Sequence, residues 1–293
     1  MREVPAAAGF TPSIASTVVS SRGRRLFVKA APIGTGLGEA VEAGVVLADV
    51  VGDLGPRLVG SASPGSWRIA VYEVLDAQSV GAWRTEDLGP LLQVLEQMRE
   101  RLDPSPLDTT TPYAEAFMPL LGTWQALAGA PDASGDAPPA AAVEHVRSQP
   151  LPIAVPVRVL ADLESRWLPT LASGPALHHG DLRRDNVMRT ADGRLRIVDW
   201  THLWSAPGWL DLVRLAPDVA ASGHDPQALL LGSCWAEAPV DAVDVVLAGL
   251  AGRAWREGHL PEVAAIPGLR RMQREQGLHT LRWLERRLTG TTS

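Results

Sequence analysis

The chain has 293 residues, 46% of them hydrophobic, and a formal net charge of −6. This length and apolar content exclude a disordered chain, and the acidic balance argues against a general nucleic-acid binder. One cysteine, Cys234, excludes an internal disulfide and a thiolate metal cluster. We expect a cytoplasmic protein without a membrane partner, because no apolar run approaches about 20 residues and the sequence does not begin with a signal peptide's apolar core.

The first part of the chain, up to about residue 75, has the composition of strands and one helix. Residues 16–20 and 25–29 are rich in β-formers and are joined by Ser-Arg-Gly, which is typical of a tight hairpin. A helix is predicted for residues 36–51 and a further strand for residues 67–74.

Beyond residue 75 the sequence is mostly helical. Apolar residues at spacings of three and four predict a helix from about residue 85 to 102. A basic amphipathic helix is predicted for residues 268–288, with Leu281, Leu284 and Leu288 among the residues of its apolar side. Residues 128–156 are dense in Ala, Pro, Gly and Asp and predict a long connecting loop or flexible insert.

The strongest chemical signal lies between residues 178 and 199. Asp192-Gly193 predicts a two-residue hairpin turn, and with that turn Asn186 faces Asp199 across the ladder. Opposed residues have Cβ atoms within about 5 Å, so an amide oxygen and a carboxylate reach one hard cation together. Asp181, five residues before Asn186, returns to the same cleft and is placed there to accept a proton. The sequence therefore predicts a Mg²⁺ site beside a catalytic base.

The motif His-Gly-Asp, four further residues and Asn, followed by Ile-Val-Asp, resembles the catalytic and metal motifs of the aminoglycoside phosphotransferase family, relatives of the protein kinases. The resemblance implies that Asp181 is the catalytic base and that Asn186 and Asp199 are the metal ligands. It also implies that His179 is a structural residue of the loop, and that Asp211 braces this loop by hydrogen bonds.

The same resemblance implies the fold. We expect an α+β, two-lobed protein-kinase-like fold, with a β-rich nucleotide-binding lobe at residues 1–75 and a mainly helical catalytic and substrate-binding lobe at residues 76–293.

Lysine usage supports this resemblance. The 27 Lys plus Arg residues include a single lysine, Lys29, and it lies where the family places the strand lysine that grips the α and β phosphates. A compact ammonium fits between phosphates and a carboxylate where a planar guanidinium does not. Glu42 best matches the helix glutamate that holds this lysine, and Glu39 is the alternative. For both glutamates an ordinary solvated charge is a further alternative.

A loop over the phosphates is predicted before the first hairpin. If Arg22-Gly23 forms the hairpin turn, Ser16 lies opposite Lys29 and residues 9–16 cover the phosphates. That segment has one glycine, so we expect the hydroxyls of Ser13 and Ser16 to replace backbone N–H donors, with a plain structural turn as the alternative.

Three further residues are assigned by resemblance. Tyr72 and Val74, at the end of a predicted strand, resemble the hinge whose backbone pairs with the purine edge. Arg183 corresponds to a kinase cation that neutralises the transferred phosphoryl group, and an ion pair with Asp185 or a surface position is the alternative.

The resemblance implies ATP or GTP with Mg²⁺ as cofactors and a small hydroxylated acceptor. Between Thr201 and Glu262 there are eight Asp or Glu against three Arg, which suits a cationic aminoglycoside or related antibiotic but also an ordinary acidic surface. The alternatives are a kinase of an amino alcohol, sugar or amino acid, and a catalytically silent nucleotide-binding regulator. We expect a monomer or homodimer.

Overall fold

The computed structural model describes residues 2–5, 14–129, 140–172, 174–264 and 266–290. Packing contacts divide the chain into two compact units. The first comprises Met1–Thr110 and Ala176–Trp204, and the second comprises Thr111–Pro175 and Ser205–Ser293. Every predicted catalytic, nucleotide or metal residue that the structure describes lies in the first unit.

A five-stranded antiparallel sheet opens the first unit, in the order β1-β2-β3-β5-β4. Its strands are β1 (Arg2–Pro5), β2 (Ile14–Val19), β3 (Arg25–Pro32), β4 (Leu58–Ala62) and β5 (Trp67–Glu73). Helix α1 (Leu37–Val51) packs on one face of this sheet, where Val41 and Ala48 meet Ala31, Ala70 and Tyr72 in a buried cluster. The predicted helix and three predicted strands are confirmed, and β1 and β4 were not predicted.

The first hairpin has a three-residue loop rather than the predicted two-residue turn. The N–H of Ser20 donates to the carbonyl of Arg24 at 2.9 Å, and the N–H of Gly23 donates back to Ser20 at 3.0 Å. Gly23 has φ 76°, the left-handed conformation that closes such a loop and that glycine adopts without steric cost.

The longer loop shifts the strand register by one residue. Ala15 is the partner of Lys29, and Ser16 is the partner of Val28. The prediction that Ser16 lies opposite Lys29 is therefore wrong. Since side chains alternate between faces along a strand, Ser16 lies on the face of the sheet away from Lys29.

The second hairpin departs from its predicted register in the same way. Strands β9 (Val187–Thr190) and β10 (Leu195–Ile197) are joined by a three-residue loop, 191–193, because the N–H of Thr190 donates to the carbonyl of Arg194 at 2.9 Å. Gly193 has φ 81°. The N–H of Val198 donates to the carbonyl of Asn186 at 2.9 Å, so Asn186 faces Val198 and not Asp199. Strand β6 (Ala77–Ser79) pairs with the other edge of β9.

Helix α2 (Thr85–Leu102) confirms the predicted helix and is fixed at its first turn by Asp87. This carboxylate accepts the N–H of Arg84 at 2.8 Å and the Nε–H of Arg189 on β9 at 2.6 Å. Asp87 is buried and desolvation raises the pKa of its carboxyl, but the Arg189 and Arg84 contacts outweigh this and hold the pKa below its ordinary value.

The second unit is helical. Its helices are α3 (Tyr113–Phe117), α4 (Thr123–Ala128), α5 (Ala140–Arg147), α6 (Val157–Ser165), α7 (Trp167–Leu171), α8 (Leu210–Ala221), α9 (Pro226–Leu231), α10 (Val240–Gly258) and α11 (Leu269–Thr289). Three short strands remain: β7 (Thr111–Pro112) in the second unit, β8 (Ala176–His178) in the first, and β11 (Trp204–Ala206), which begins at the last residue of the first unit's range. Single 3₁₀ turns cover Met118–Leu120 in the second unit, and Gly52–Leu54 and Arg184–Asn186 in the first.

Two tryptophans in the core of the second unit, Trp124 and Trp167, satisfy their ring N–H groups there. Trp124 donates to the carbonyl of Ala248 at 2.8 Å, and Trp167 donates to Ala114 at 3.0 Å. Both indoles are fully buried, so these bonds remove the cost of desolvating the ring N–H.

The structure of this unit differs from the sequence predictions in two places. The predicted loop at residues 128–156 contains α5, whose Val143 and Val146 are buried, because apolar residues three apart in an Ala-rich run favour a helix. Helix α11 is confirmed, with Leu281 and Leu284 buried, but Leu288 is exposed. No helix in the described ranges has both the length and the apolar character needed to cross a bilayer.

Candidate active site

The single lysine and the second predicted metal ligand meet in the first unit. The ammonium of Lys29, on β3, forms a hydrogen-bonded ion pair with the carboxylate of Asp199, just after β10. Asp199 has φ 68°, a left-handed conformation that aspartate tolerates better than most residues. This backbone turn follows the end of the β9–β10 hairpin.

The environment of Asp199 favours its charged form. About half of its side-chain surface is exposed, yet dense protein surroundings desolvate the carboxyl and raise its pKa. The charge and hydrogen bond of Lys29 outweigh this effect, so the pKa of Asp199 lies below its ordinary value. A carboxylate that stays ionised is a suitable cation ligand.

The buried His179 side chain accepts a hydrogen bond from the backbone of the loop that carries Asp181. Its Nε2 lies 3.0 Å from the carbonyl of Val198, and its Nδ1 accepts the N–H of Asp181 at 3.2 Å. These contacts fit a neutral ring with the proton on Nε2. The ring is buried and packs edge-on against Trp200 at 4.6 Å. His179 therefore links the backbone next to Asp199 to the backbone of Asp181, in agreement with its predicted structural role.

Asn186 is oriented by a second link to the loop. Its Nδ2 donates to the backbone carbonyl of Asp181 at 2.9 Å, and its side chain is buried. The amide nitrogen is thereby engaged, and Oδ1 is the atom suited to a cation. The one-residue change of register still allows Asn186 and Asp199 to share a metal site. Asn186 and His179 both contact the backbone of Asp181, and His179 also contacts the carbonyl of Val198, next to Asp199.

Arg183 connects the two carboxylates of the loop. It pairs with both oxygens of Asp185, at 3.0 Å and 2.8 Å, and its Nη1 lies 3.0 Å from Oδ2 of Asp181. The ion pair with Asp185, one of the two interpretations of Arg183, is formed. Its contact with Asp181 places a positive charge beside the predicted base.

Gly180, inside the motif, is required by its surroundings. It has φ 83°, and a Cβ there would lie 2.4 Å from Cε3 of Trp204. The Trp204 ring stacks on His202 with centroids 3.7 Å apart and planes 3° from parallel. Sequence reasoning missed this stacked pair, and the alternation of aromatic residues at 202 and 204 was the available signal.

The predicted helix glutamates have other partners. Glu42 is exposed and pairs with Nε of Arg68, on β5, at 3.2 Å. Glu39 accepts the N–H of Gly34 at 2.8 Å. The structure therefore does not bring Glu42 to Lys29, and its role as the partner of this lysine stays a prediction.

Tyr72 lies on the same face of the sheet as Lys29, because its partner Phe27 is two residues from that lysine. Burial raises the pKa of the Tyr72 hydroxyl to about 12, and the charge of Asp199 contributes. Gly44 of α1 leaves room for the tyrosine, since a Cβ there would lie 2.9 Å from its hydroxyl. Val74 is the first residue after β5, and the hinge role of both residues stays a prediction.

Three further predicted residues have different outcomes. Ser13 lies outside the described residues. Ser16 is buried on the other face of the sheet, so we do not carry it into the nucleotide site. Asp211 is buried in the first turn of α8, in the second unit, and its bracing role stays a prediction.

A Mg²⁺ ion fits the side chains of the cluster. Asn186 and Asp199 offer an amide oxygen and an ionised carboxylate, which are hard ligands of the kind that Mg²⁺ takes together with phosphates and waters. In the described part of the chain no group of three His, Cys, Asp or Glu could hold a metal by itself. The donor set suits an ion that arrives with a nucleotide.

Comparisons with known proteins identify a family and a fold for this chain. The sequence model of the phosphotransferase enzyme family, APH, matches residues 16–243. No protein with a curated description matches the sequence.

Solved structures share the fold at low sequence identity. An aminoglycoside phosphotransferase from Alicyclobacillus acidocaldarius subsp. acidocaldarius DSM 446 superposes with a TM-score of 0.60 at 14% identity, covering 99% of this chain and 92% of that one. The choline kinase LicA from Streptococcus pneumoniae gives 0.58 at 13%, covering 99% and 94%. The amicoumacin kinase hAmiN, in complex with AMP-PNP, Ca²⁺ and Ami, gives 0.59 at 12%, covering 99% and 88%. The predicted α+β, protein-kinase-like fold is confirmed.

Proposed function

The chain belongs to the APH phosphotransferase enzyme family, and on this basis we propose that it moves the γ-phosphoryl group of ATP or GTP to a hydroxyl of a small molecule. The observation that carries the proposal is the Lys29–Asp199 ion pair beside the loop that holds Asp181 and Asn186. Phosphoryl transfer needs a carboxylate base, oxygen ligands for a metal and a cation for the phosphates, and these residues are that set.

Asp181 is the base of the proposed reaction. Its carboxylate accepts the proton of the acceptor hydroxyl while the hydroxyl oxygen forms a bond to the γ-phosphorus. The bond from this phosphorus to the β–γ bridging oxygen breaks, and the nucleoside diphosphate leaves. Arg183, with Nη1 3.0 Å from Asp181, orients the carboxylate before transfer. Its second proposed role is to neutralise charge on the transferred group.

Lys29, Asn186 and Asp199 position the nucleotide. Lys29 would pair with the α and β phosphates of a bound nucleotide instead of Asp199. The Asp199 carboxylate and Oδ1 of Asn186 would then hold Mg²⁺. A bound Mg²⁺ neutralises phosphate charge. We further propose that Glu42 turns from Arg68 to Lys29 in that state, and that the backbone at Tyr72 and Val74 receives the purine.

The proposed acceptor is an aminoglycoside or a related antibiotic, in a resistance or self-protection role. The support is the excess of eight acidic residues over three arginines between Thr201 and Glu262. The similar structures are named for different acceptors, and at 12–14% identity they establish the fold and not the acceptor. A kinase of an amino alcohol, sugar or amino acid is the second candidate. A catalytically silent nucleotide-binding regulator is the third.

Residues 1–75 are the proposed nucleotide-binding lobe and residues 76–293 the proposed catalytic and substrate-binding lobe. We place the protein in the cytoplasm because its single cysteine suits a reducing compartment. Its proposed partners are the nucleotide and a small hydroxylated, cationic substrate, with neither nucleic acid nor membrane involved. A monomer or homodimer is expected.

Phosphorus NMR tests the proposal directly. The protein is incubated with Mg-ATP or Mg-GTP and pools of aminoglycosides, amino alcohols, sugars or amino acids, alongside Asp181→Asn. We expect a new phosphomonoester signal with one pool, absent from the variant. Nucleotide binding without transfer to any pool would favour the regulatory candidate. An equal signal from Asp181→Asn would remove this residue from the mechanism.

A further inference from the structure

A cavity of about 530 Å³ lies entirely within the second unit. Its walls are the turn between α8 and α9, one face of α11, and Pro152 in the segment before α6. None of the residues that line it belongs to the unit containing Lys29 and Asp181. A cavity of this volume has room for a small metabolite.

Nitrogen-bearing side chains dominate one wall. His279, Arg282 and Arg286 are spaced three and four residues apart on α11, so they lie on one face of the helix. His224, from the turn after α8, also lines the cavity. Guanidinium and imidazole groups donate hydrogen bonds to oxyanions.

The two carboxylates that line the cavity already have donors. Asp225 accepts the N–H of Gln227 at 3.1 Å, which caps α9, and lies 3.4 Å from Nη2 of Arg286. Glu285 accepts the N–H of Ala154 at 2.5 Å. Their negative charges are therefore partly offset by neighbours within the wall.

Arg282 is different from these groups. It is exposed, and it makes no hydrogen bond or ion pair with any residue in the described part of the chain. An arginine at the wall of a cavity, with its five donors uncommitted within the described ranges, is suited to bind a planar or tetrahedral oxyanion in a bidentate manner.

We propose that this cavity is a second ligand site, which binds a small molecule carrying several phosphate or carboxylate groups, with Arg282 as its anchor. The volume exceeds that needed for a single phosphate and allows contacts with both the α8–α9 turn and α11. The site is independent of the proposed phosphoryl transfer, because it uses none of the residues assigned to that reaction.

Isothermal titration with inorganic pyrophosphate and with citrate, in the absence of Mg²⁺, tests the site. We expect at least one of these anions to bind, and Arg282→Gln to weaken the binding about tenfold or more. Arg271→Gln is the matched control. It removes the same charge from an exposed residue of α11 that does not line the cavity, and binding should be unchanged. Binding of pyrophosphate alone would assign the site to phosphate ligands, and binding of citrate alone to carboxylate ligands.

Lys29→Gln distinguishes the cavity from the proposed nucleotide site. Binding that survives in Lys29→Gln and is lost in Arg282→Gln supports the proposal. Three results would overturn it: neither anion binds, Arg282→Gln binds as the unchanged protein does, or Arg271→Gln loses as much affinity as Arg282→Gln. Thermal unfolding of Arg282→Gln confirms that the variant is folded, since the side chain is exposed.

Discussion

Lys29 and Asp199 form an ion pair although 170 residues separate them in the sequence. One residue is placed by a strand of the five-stranded sheet and the other by the residue that follows a short hairpin. The pairing offsets the charges of the two groups. Because of this ion pair, the lysine proposed to bind the phosphates is already in contact with the carboxylate proposed to bind the metal.

Lys29→Arg should impair the reaction although it keeps the charge. The guanidinium is larger and planar, and it does not fit between two phosphates and a carboxylate as an ammonium does. We expect turnover to fall roughly tenfold or more and Mg-nucleotide affinity to weaken. The measurements are initial rates on the acceptor found by NMR and titration with a non-hydrolysable nucleotide.

Arg25→Lys is the control for Lys29→Arg. Arg25 begins the same strand and is exposed, so the reverse exchange should leave both quantities unchanged. Full activity of Lys29→Arg would mean that the identity of this cation does not matter to the reaction.

Asp181→Asn should lower turnover strongly while leaving nucleotide affinity nearly intact. Loss of a general base lowers turnover by roughly 10² or more, whereas nucleotide binding depends on other groups. Asp185→Asn is a matched control, because it removes the other carboxylate that pairs with Arg183. Its turnover should fall by less than about tenfold. Equal losses in the two variants would show that the effect acts through Arg183 rather than through a base.

Gly180→Ala should destabilise the catalytic loop. The new methyl group would meet Trp204 at 2.4 Å, and the backbone at φ 83° is unfavourable for alanine. We expect the free energy of unfolding to fall by about 2 kcal/mol or more, together with most of the activity. Urea denaturation and initial rates measure the two effects.

Two further variants distinguish the steric clash with Trp204 from the cost of placing alanine at a positive φ. Gly193→Ala has the same sign of φ, 81°, but no atom within 4 Å of the new Cβ, so it should lose only about 1 kcal/mol. Adding Trp204→Ala to Gly180→Ala should restore part of the lost stability. If Gly193→Ala is as damaging as Gly180→Ala, the Trp204 contact is not the cause.

The sequence predicted both hairpins and misplaced both registers. Composition predicts Gly23 and Gly193 as the second residue of a two-residue turn, whereas each is the left-handed last residue of a three-residue loop. Two-residue turns and three-residue loops both use glycine at positive φ, so composition does not distinguish the two loop types. A one-residue error moves every side chain to the other face, which is why Ser16 was misplaced.

The catalytic cluster was more predictable than the contacts around it. Asp181, Asn186 and Asp199 lie within one short segment, so local spacing was enough to propose them together. The Arg68 partner of Glu42 and the stacking of His202 on Trp204 depend on how strands and loops pack. Nothing in the sequence pairs Glu42 with Arg68, and the alternation of aromatic residues at 202 and 204 does not by itself predict that the two rings stack.

Glu164 should make stability depend on pH. It is buried on α6 in the second unit, and its Oε2 accepts the N–H groups of Trp124 and Gln125 at 3.0 Å and 3.2 Å. Desolvation raises the pKa of its carboxyl to about 7 against these hydrogen bonds. Within the described residues its Oε1 has no hydrogen-bond partner, which adds to the cost of ionisation.

The direction of this pH dependence follows from the order in which the unfolded and folded chains lose the Glu164 proton. As pH rises from the ordinary glutamate pKa of 4.5 to about 7, the unfolded chain loses the Glu164 proton before the folded chain does. Folding stability therefore falls with rising pH over this window, by at most about 1.4 kcal/mol per pH unit. Glu164→Gln keeps the acceptor for the N–H groups of α4 and cannot ionise, so it should remove this part of the decline.

Urea denaturation between pH 4.5 and 8 measures the effect. Glu144→Gln, the same exchange at an exposed residue of α5, is the control and should follow the unchanged protein at every pH. The difference in unfolding free energy between Glu164→Gln and the unchanged protein should shift in favour of the variant as pH rises towards 7, and should be constant above it. A difference that is the same at every pH would mean that Glu164 ionises alike in the folded and unfolded chains, and that burial on α6 does not hold its proton.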